Sequence, residues 1–265
     1  MKRLLLSAAV LTCISLAGQS EAAFTIDGDL TDWGVVPFVD WTPDPGIAFE
    51  QTNNLNKYNA NNYSEPFDFE ALYLASDASN QYIGLVSSYP FRPLHWNGSY
   101  FEGGDGGDIF LDVWGTSPMT ISPHGIVTGL DYAVLIASAV ETPGKVVAGT
   151  WRDTHYSGGW WPGEGYQGSP HVVDHTKPET LLGWATVAIG VHDYGTVNGQ
   201  WEDDTYVLEI AIPNSILPSA VRGVHVTQWC GNDSINLIIP APGAMLLAAI
   251  GTALVGGLRA RRRAC

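Results

Sequence analysis

The segment Thr205-Tyr206-Val207-Leu208-Glu209-Ile210-Ala211-Ile212 puts Tyr206, Leu208, Ile210 and Ile212 on one side of an extended chain and Val207, Glu209 and Ala211 on the other. A period of two restricts such a stretch to a strand. Similar runs recur at Glu70 to Ala75, Gln81 to Ser87, Asp108 to Trp114, Asp131 to Ala137, Val146 to Trp151, Val224 to Trp229 and Ser234 to Ile238. Gly, Pro, Asn and Asp separate them, and no comparable run has helical spacing. The expectation is an all-β domain over residues 23–239, an antiparallel jelly-roll-like β-sandwich. Thr154 to Glu179, rich in Gly, Pro, His and Trp, reads as one long irregular loop, a kind of segment that usually carries function.

Charge narrows the partners. Of the 27 acidic residues only Glu21 lies outside 23–239, so 26 acids face six bases there (Lys57, Arg92, Lys145, Arg152, Lys177 and Arg222), a net charge of −20. Such a surface repels nucleic acid and anionic lipid and favours divalent cations. Of the three cysteines, Cys13 and Cys265 lie in the terminal segments, leaving Cys230 without an intramolecular disulfide partner. Stability must then come from the core.

The termini read as export signals. Lys2 and Arg3 precede the apolar stretch Leu4 to Ala17, and Ser20-Glu21-Ala22 supplies the small residues a signal peptidase reads, with cleavage expected between Ala22 and Ala23. Residues 1–22 are thus the expected signal peptide. At the other end Pro240-Ala241-Pro242 leads into an apolar run over 243–258, followed by Arg259, Arg261, Arg262 and Arg263. As a helix that run covers roughly 24 Å, enough for a thin bilayer, and the basic tail 259–263 places its end in the cytoplasm.

The order of motif, apolar helix and arginine cluster in 240–265 resembles the PEP-CTERM sorting signal of bacterial envelope proteins, in the Pro-Ala-Pro-Gly-Ala form seen at Pro240 to Ala244; the central Glu of the family's name is absent. The resemblance implies an exosortase-type enzyme that cuts at the motif, and residence at the cell surface or in exopolysaccharide. A retained single-span anchor is the alternative. The opening Phe24-Thr25-Ile26-Asp27-Gly28-Asp29-Leu30-Thr31-Asp32-Trp33 resembles the start of β-sandwich domains related to DOMON domains and family 9 carbohydrate-binding modules. The ending Tyr206 to Pro213, with His225 and Cys230-Gly231-Asn232-Asp233, is similar to the last strands of many PEP-CTERM extracellular proteins.

Two chemistries compete at the acidic turns. Asp27-Gly28 fits a tight turn, with Gly at positive φ, an Asx hydrogen bond and Trp33 folded back as a plug. Alternatively Asp27, Asp29 and Asp32 hold calcium through carboxylate oxygens. In Gly103-Gly104-Asp105-Gly106-Gly107-Asp108 the choice is again between a hairpin-like turn and a calcium loop, with Asp105, Asp108 and Asp112 as ligands. Asp112 shares the face of Phe110 and Trp114, where a carboxylate is costly unless paired or metal-bound. His155, His171, Asp174 and His175 read as an exposed polar loop or, if helical, a zinc pair.

Adjacent Trp160 and Trp161, with Trp151, Tyr156 and Tyr166 around them, cannot both point into one core from an extended backbone. They form the expected ligand-binding surface, suited to stacking on sugar rings, with a lid folded over the sandwich edge and its tryptophans buried as the alternative. No Gly-x-Ser-x-Gly is present, Cys230 has no basic neighbour and no carboxylate pair stands out, so no catalytic residues are assigned. The expectation is a non-catalytic adhesion, matrix or glycan-binding protein, with a polysaccharide-active enzyme or a purely structural surface protein as alternatives.

Overall fold

The computed structural model describes residues 24–37, 39–51, 69–87, 95–96, 99–100, 107–122, 126–136, 144–153, 170–193, 204–227 and 234–240. Its strands are β1 Ala48–Gln51, β2 Phe69–Ser76, β3 Asn80–Ser87, β4 His95–Trp96, β5 Ser99–Tyr100, β6 Ile109–Val113, β7 Thr120–Ile121, β8 Val127–Thr128, β9 Tyr132–Leu135, β10 Gly144–Ala148, β11 Trp151–Asp153, β12 Pro170–Val173, β13 Thr180–Asp193, β14 Asp204–Pro213, β15 Val221–Thr227 and β16 Ser234–Ile238. Among the described residues the only helical element is a single 3₁₀ turn, Thr31–Trp33.

Ten strands form one antiparallel sheet in the order β1-β2-β3-β14-β13-β10-β9-β6-β15-β16, and three two-stranded ladders lie outside it. Strand β16 packs back against β1 and β2. The sheet therefore curls until its two edges nearly meet, a barrel-like all-β fold. Strand β13 makes the turn possible. Its residues from Thr180 to Ala185 pair with β10, and those from Thr186 to Asp193 pair with β14, so one strand of 14 residues joins both halves of the curled sheet.

Alternation divides the apolar residues into three clusters. Leu72, Ile83, Leu111, Val134, Leu208 and Val224 point inward and fill the space enclosed by the sheet. On the outer side of β2, β3 and β14 a second cluster combines Tyr73, Tyr82, Val86 and Val207 with Leu30, Trp33 and Val35 from the segment before β1. The third joins Phe110, Ala133 and Val147, on the outer side of β6, β9 and β10, to Val173 of β12. Each fully buried large side chain contributes about 1.5–3 kcal/mol through removal from water. Both faces of β14 are covered.

Two expectations change here. The run Val146 to Trp151 is not one strand: β10 ends at Ala148 and Trp151 opens β11, which pairs with β12 apart from the main sheet. Nor is Thr154 to Glu179 irregular throughout. It contains β12, which gains its ladder only by meeting β11, a pairing that four residues cannot announce. The longest strand, β13, has no counterpart in the sequence reading, because Gly183 and Gly190 interrupt its apolar pattern. Both glycines sit where a side chain has no room, Gly183 against Ile216 and Gly190 against the backbone of Gly28.

Candidate functional site

The Asp-Gly motif at the start of the domain is gripped by one carboxylate. Glu209 points to the outer side of β14, and its Oε2 accepts the backbone N–H groups of Asp27 at 3.0 Å, Gly28 at 2.6 Å and Asp29 at 3.1 Å. Its Oε1 accepts the indole N–H of Trp33 at 2.8 Å. Burial pushes the Glu209 carboxyl above its ordinary range, against the opposing pull of the donors from Gly28, Asp27, Trp33 and Asp29. Gly28 has φ of 86°, and its carbonyl oxygen accepts from His192 Nε2 at 2.6 Å. No Cβ fits at Gly28 or Gly190, so the two backbones meet in direct contact.

The aspartates of this motif serve the turn itself. Asp27 Oδ1 accepts the N–H of Asp29 at 3.0 Å, and Asp29 Oδ1 accepts that of Thr31 at 2.9 Å, both Asx contacts. Asp32 Oδ2 accepts the N–H of Thr25 at 2.7 Å. Burial, with Asp27 and Asp29 nearby, raises the Asp32 carboxyl above its usual range despite that hydrogen bond. These contacts account for the acidic spacing as turn chemistry.

Asp108 and Asp112 are held elsewhere, by different partners. Asp108 is buried and accepts the N–H groups of Ile136 at 3.0 Å and Val173 at 2.9 Å, fastening β12 to the end of β9. Asp112 meets Arg222 of β15 in a two-pronged ion pair, Nε to Oδ2 at 2.9 Å and Nη2 to Oδ1 at 2.8 Å, and also accepts the N–H of Met119 at 2.7 Å. Trp114 covers the guanidinium at 5.1 Å. The cost of a carboxylate on that face is thus met by pairing. Asp105 lies outside the described residues. Among the described residues no group of three or more His, Cys, Asp or Glu is arranged to hold a metal ion. His171 falls in β12, while Asp174 caps Thr176 and His175 Nδ1 lies 2.9 Å from Glu179 Oε2, so this stretch forms a strand and a turn rather than a helix.

Of the expected aromatic surface, Trp151 packs edge-on against Phe110 at 5.1 Å and is partly buried. Tyr156, Trp160 and Trp161 lie outside the described residues. The outer face of the sheet also carries an aromatic residue that sequence reasoning missed. Trp184 of β13 is 47 % exposed and stands in register beside Lys145 of β10, which is in turn beside Leu135 of β9. The Lys145 ammonium lies 5.9 Å from the Trp184 ring centre. Leu181, next on this face opposite Val147, is 51 % exposed. The available signal was the placement of Trp184 directly before inward-facing Ala185 and Val187 in a β run.

Pro240 follows β16, and the chain there is held by Ile239 N–H donating to the Arg222 carbonyl at 2.7 Å. Ala22, Ala23, Ala241, Pro242, Arg259, Arg261, Arg262 and Arg263 lie outside the described residues, as does Cys230. Among the described residues no helix is long and apolar enough to cross a membrane. Comparison with family models, with curated proteins and with solved structures returns no match.

Proposed function

We propose that this chain is an exported, cell-surface or exopolysaccharide-associated β-sandwich of jelly-roll-like design that binds saccharide and does not cleave it. The observation that carries the reading is Trp184, an indole half exposed in the middle of a sheet rather than at a mobile edge, with a lysine beside it and apolar neighbours around it. A rigid aromatic face gives the C–H side of a sugar ring a stacking surface at little entropic cost, and the ammonium supplies a hydrogen-bond donor. Trp160, Trp161, Tyr156 and Trp151 belong to the same proposal as a second aromatic group. The three acids buried in the described region, Asp108, Asp112 and Glu209, hold backbone amides, an indole and a guanidinium. Export through a signal peptidase and sorting by an exosortase-type enzyme complete the proposal, supported by the terminal motifs.

The test is affinity electrophoresis of the exported domain through gels containing extracellular polysaccharide. Replacing Trp184 by Ala is expected to weaken retardation about 5- to 10-fold, the equivalent of roughly 1 kcal/mol of stacking. Because the ring is half in water, the melting temperature should move little. Equal retardation of W184A and wild type would remove this surface from consideration, and release of reducing sugar would move the protein to the enzymes.

A further inference from the structure

The segment from Phe24 to Ile47 crosses the outer face of β2, β3 and β14 without joining their ladders. Its one described bridge, Val36 to Asp40, is internal. Its turns are likewise closed by its own backbone, as in Trp33 N–H to Leu30 O at 3.0 Å and Asp44 N–H to Trp33 O at 2.9 Å. What binds it to the sheet is one apolar cluster and side-chain hydrogen bonds, chiefly the four donors received by Glu209. That cluster is separate from the one enclosed by the sheet, so the inner core remains closed whether or not this segment is in place.

Chain order adds a second consideration. Glu209 lies 181 residues after Gly28, and His192 lies 164 after it. Residues 24–47 thus have no complete docking surface until β14 has paired with β3 and β13 with β14. Closing so long a loop carries an entropic cost that is offset only once the surface exists.

From these observations we infer that residues 24–47 form a strap that docks last on the finished sheet and opens from it as one unit, with the Glu209 carboxylate as its latch. Local units of this kind open at lower free energy than the whole fold, and side-chain attachment without a ladder places the strap in that class. Opening uncovers the apolar outer side of β2 and β3, including Tyr73, Tyr82 and Val86. Gly84 lies beneath the strap, where a Cβ would meet Leu30 Cδ2 at 3.0 Å, so the seat is shaped for that leucine.

Hydrogen exchange of the full chain, followed by mass spectrometry, tests the inference. Peptides covering 24–47 should exchange by an opening that leaves β6, β9 and β15 protected. Glu209→Gln should speed strap exchange about 10-fold or more, because an amide NH₂ would face the N–H donors that the carboxylate accepts. Leu30→Ala, which leaves the latch intact and removes apolar contact, should do the same. In both variants β6, β9 and β15 should remain far better protected than the strap. Should E209Q fail to fold, L30A decides alone. The inference is overturned if the strap is protected to the level of β9 in wild type, if in the variants it exchanges only together with β6, β9 and β15, or if neither variant alters the strap.

Discussion

Glu209 shows how one side chain couples composition to pH response. It accepts donors from Asp27, Gly28, Asp29 and Trp33 of the strap, and burial lifts its carboxyl above the ordinary 4.5. The folded protein then holds this proton more tightly than the unfolded chain. Its linkage contribution is fully present below 4.5 and is lost as pH rises through the higher folded value. Asp32, also raised, acts in the same direction, while Asp77, lowered by donors from Tyr82, Asn80 and Ser79 despite some desolvation, acts in the opposite one below its ordinary 3.8. Urea melts across this range should show wild type losing stability relative to E209Q as pH rises past 4.5, with E209Q less stable overall by about 2 kcal/mol from unmatched donors. A constant difference between the two proteins at all pH values would mean that Glu209 does not titrate with folding. At this scale the unusual placement of Asp112 was legible, since Phe110 and Trp114 define its face. Its partner Arg222 was not, because the two are 110 residues apart and meet only when β15 pairs with β6.

Among the elements, the β11–β12 ladder depends most on a single contact. It covers the third apolar cluster through Val173 and Trp151, and Asp108 holds β12 by accepting the Val173 N–H. Replacing Asp108 by Ala leaves buried N–H groups of Val173 and Ile136 without that acceptor, at a cost of about 1–3 kcal/mol each. Limited proteolysis of D108A should therefore cut near 151–173 faster than in wild type, with β3 and β14 still resistant; an unchanged cleavage pattern would show the ladder to be held by packing alone. Strands with clean alternation, such as β3, β14 and β16, were readable from their own residues. Strand β13 was not, since its identity rests on two different neighbours along its length and its glycines are explained only by Ile216 and Gly28.

At the scale of the whole molecule, a curled sheet with an inner core and two outer coverings brings the start of the domain onto β14, third from the end of its strands. Strand β16 closes the curl and leads directly into Pro240. With sorting as proposed, the surface protein should have an intact mass matching a start at Ala23 and an end near Pro240 or shortly beyond. A mass retaining Cys265 would favour a permanent membrane anchor, and one retaining Met1 would remove the signal peptide from the proposal.

Period-two alternation and turn residues determined that the domain is all-β and put Tyr206, Leu208, Ile210 and Ile212 on one side of their strand and Val207, Glu209 and Ala211 on the other. These are local properties, set by backbone geometry within a few residues. Tertiary structure decided the rest: that Glu209 holds the turn 181 residues before it, that Arg222 neutralises Asp112, and that Trp184 stands half in solvent beside Lys145. Such pairings depend on strand order and on which outer face receives a covering. Alternation reports that a side chain leaves its strand on a given side, and only the assembled sheet supplies what it meets there.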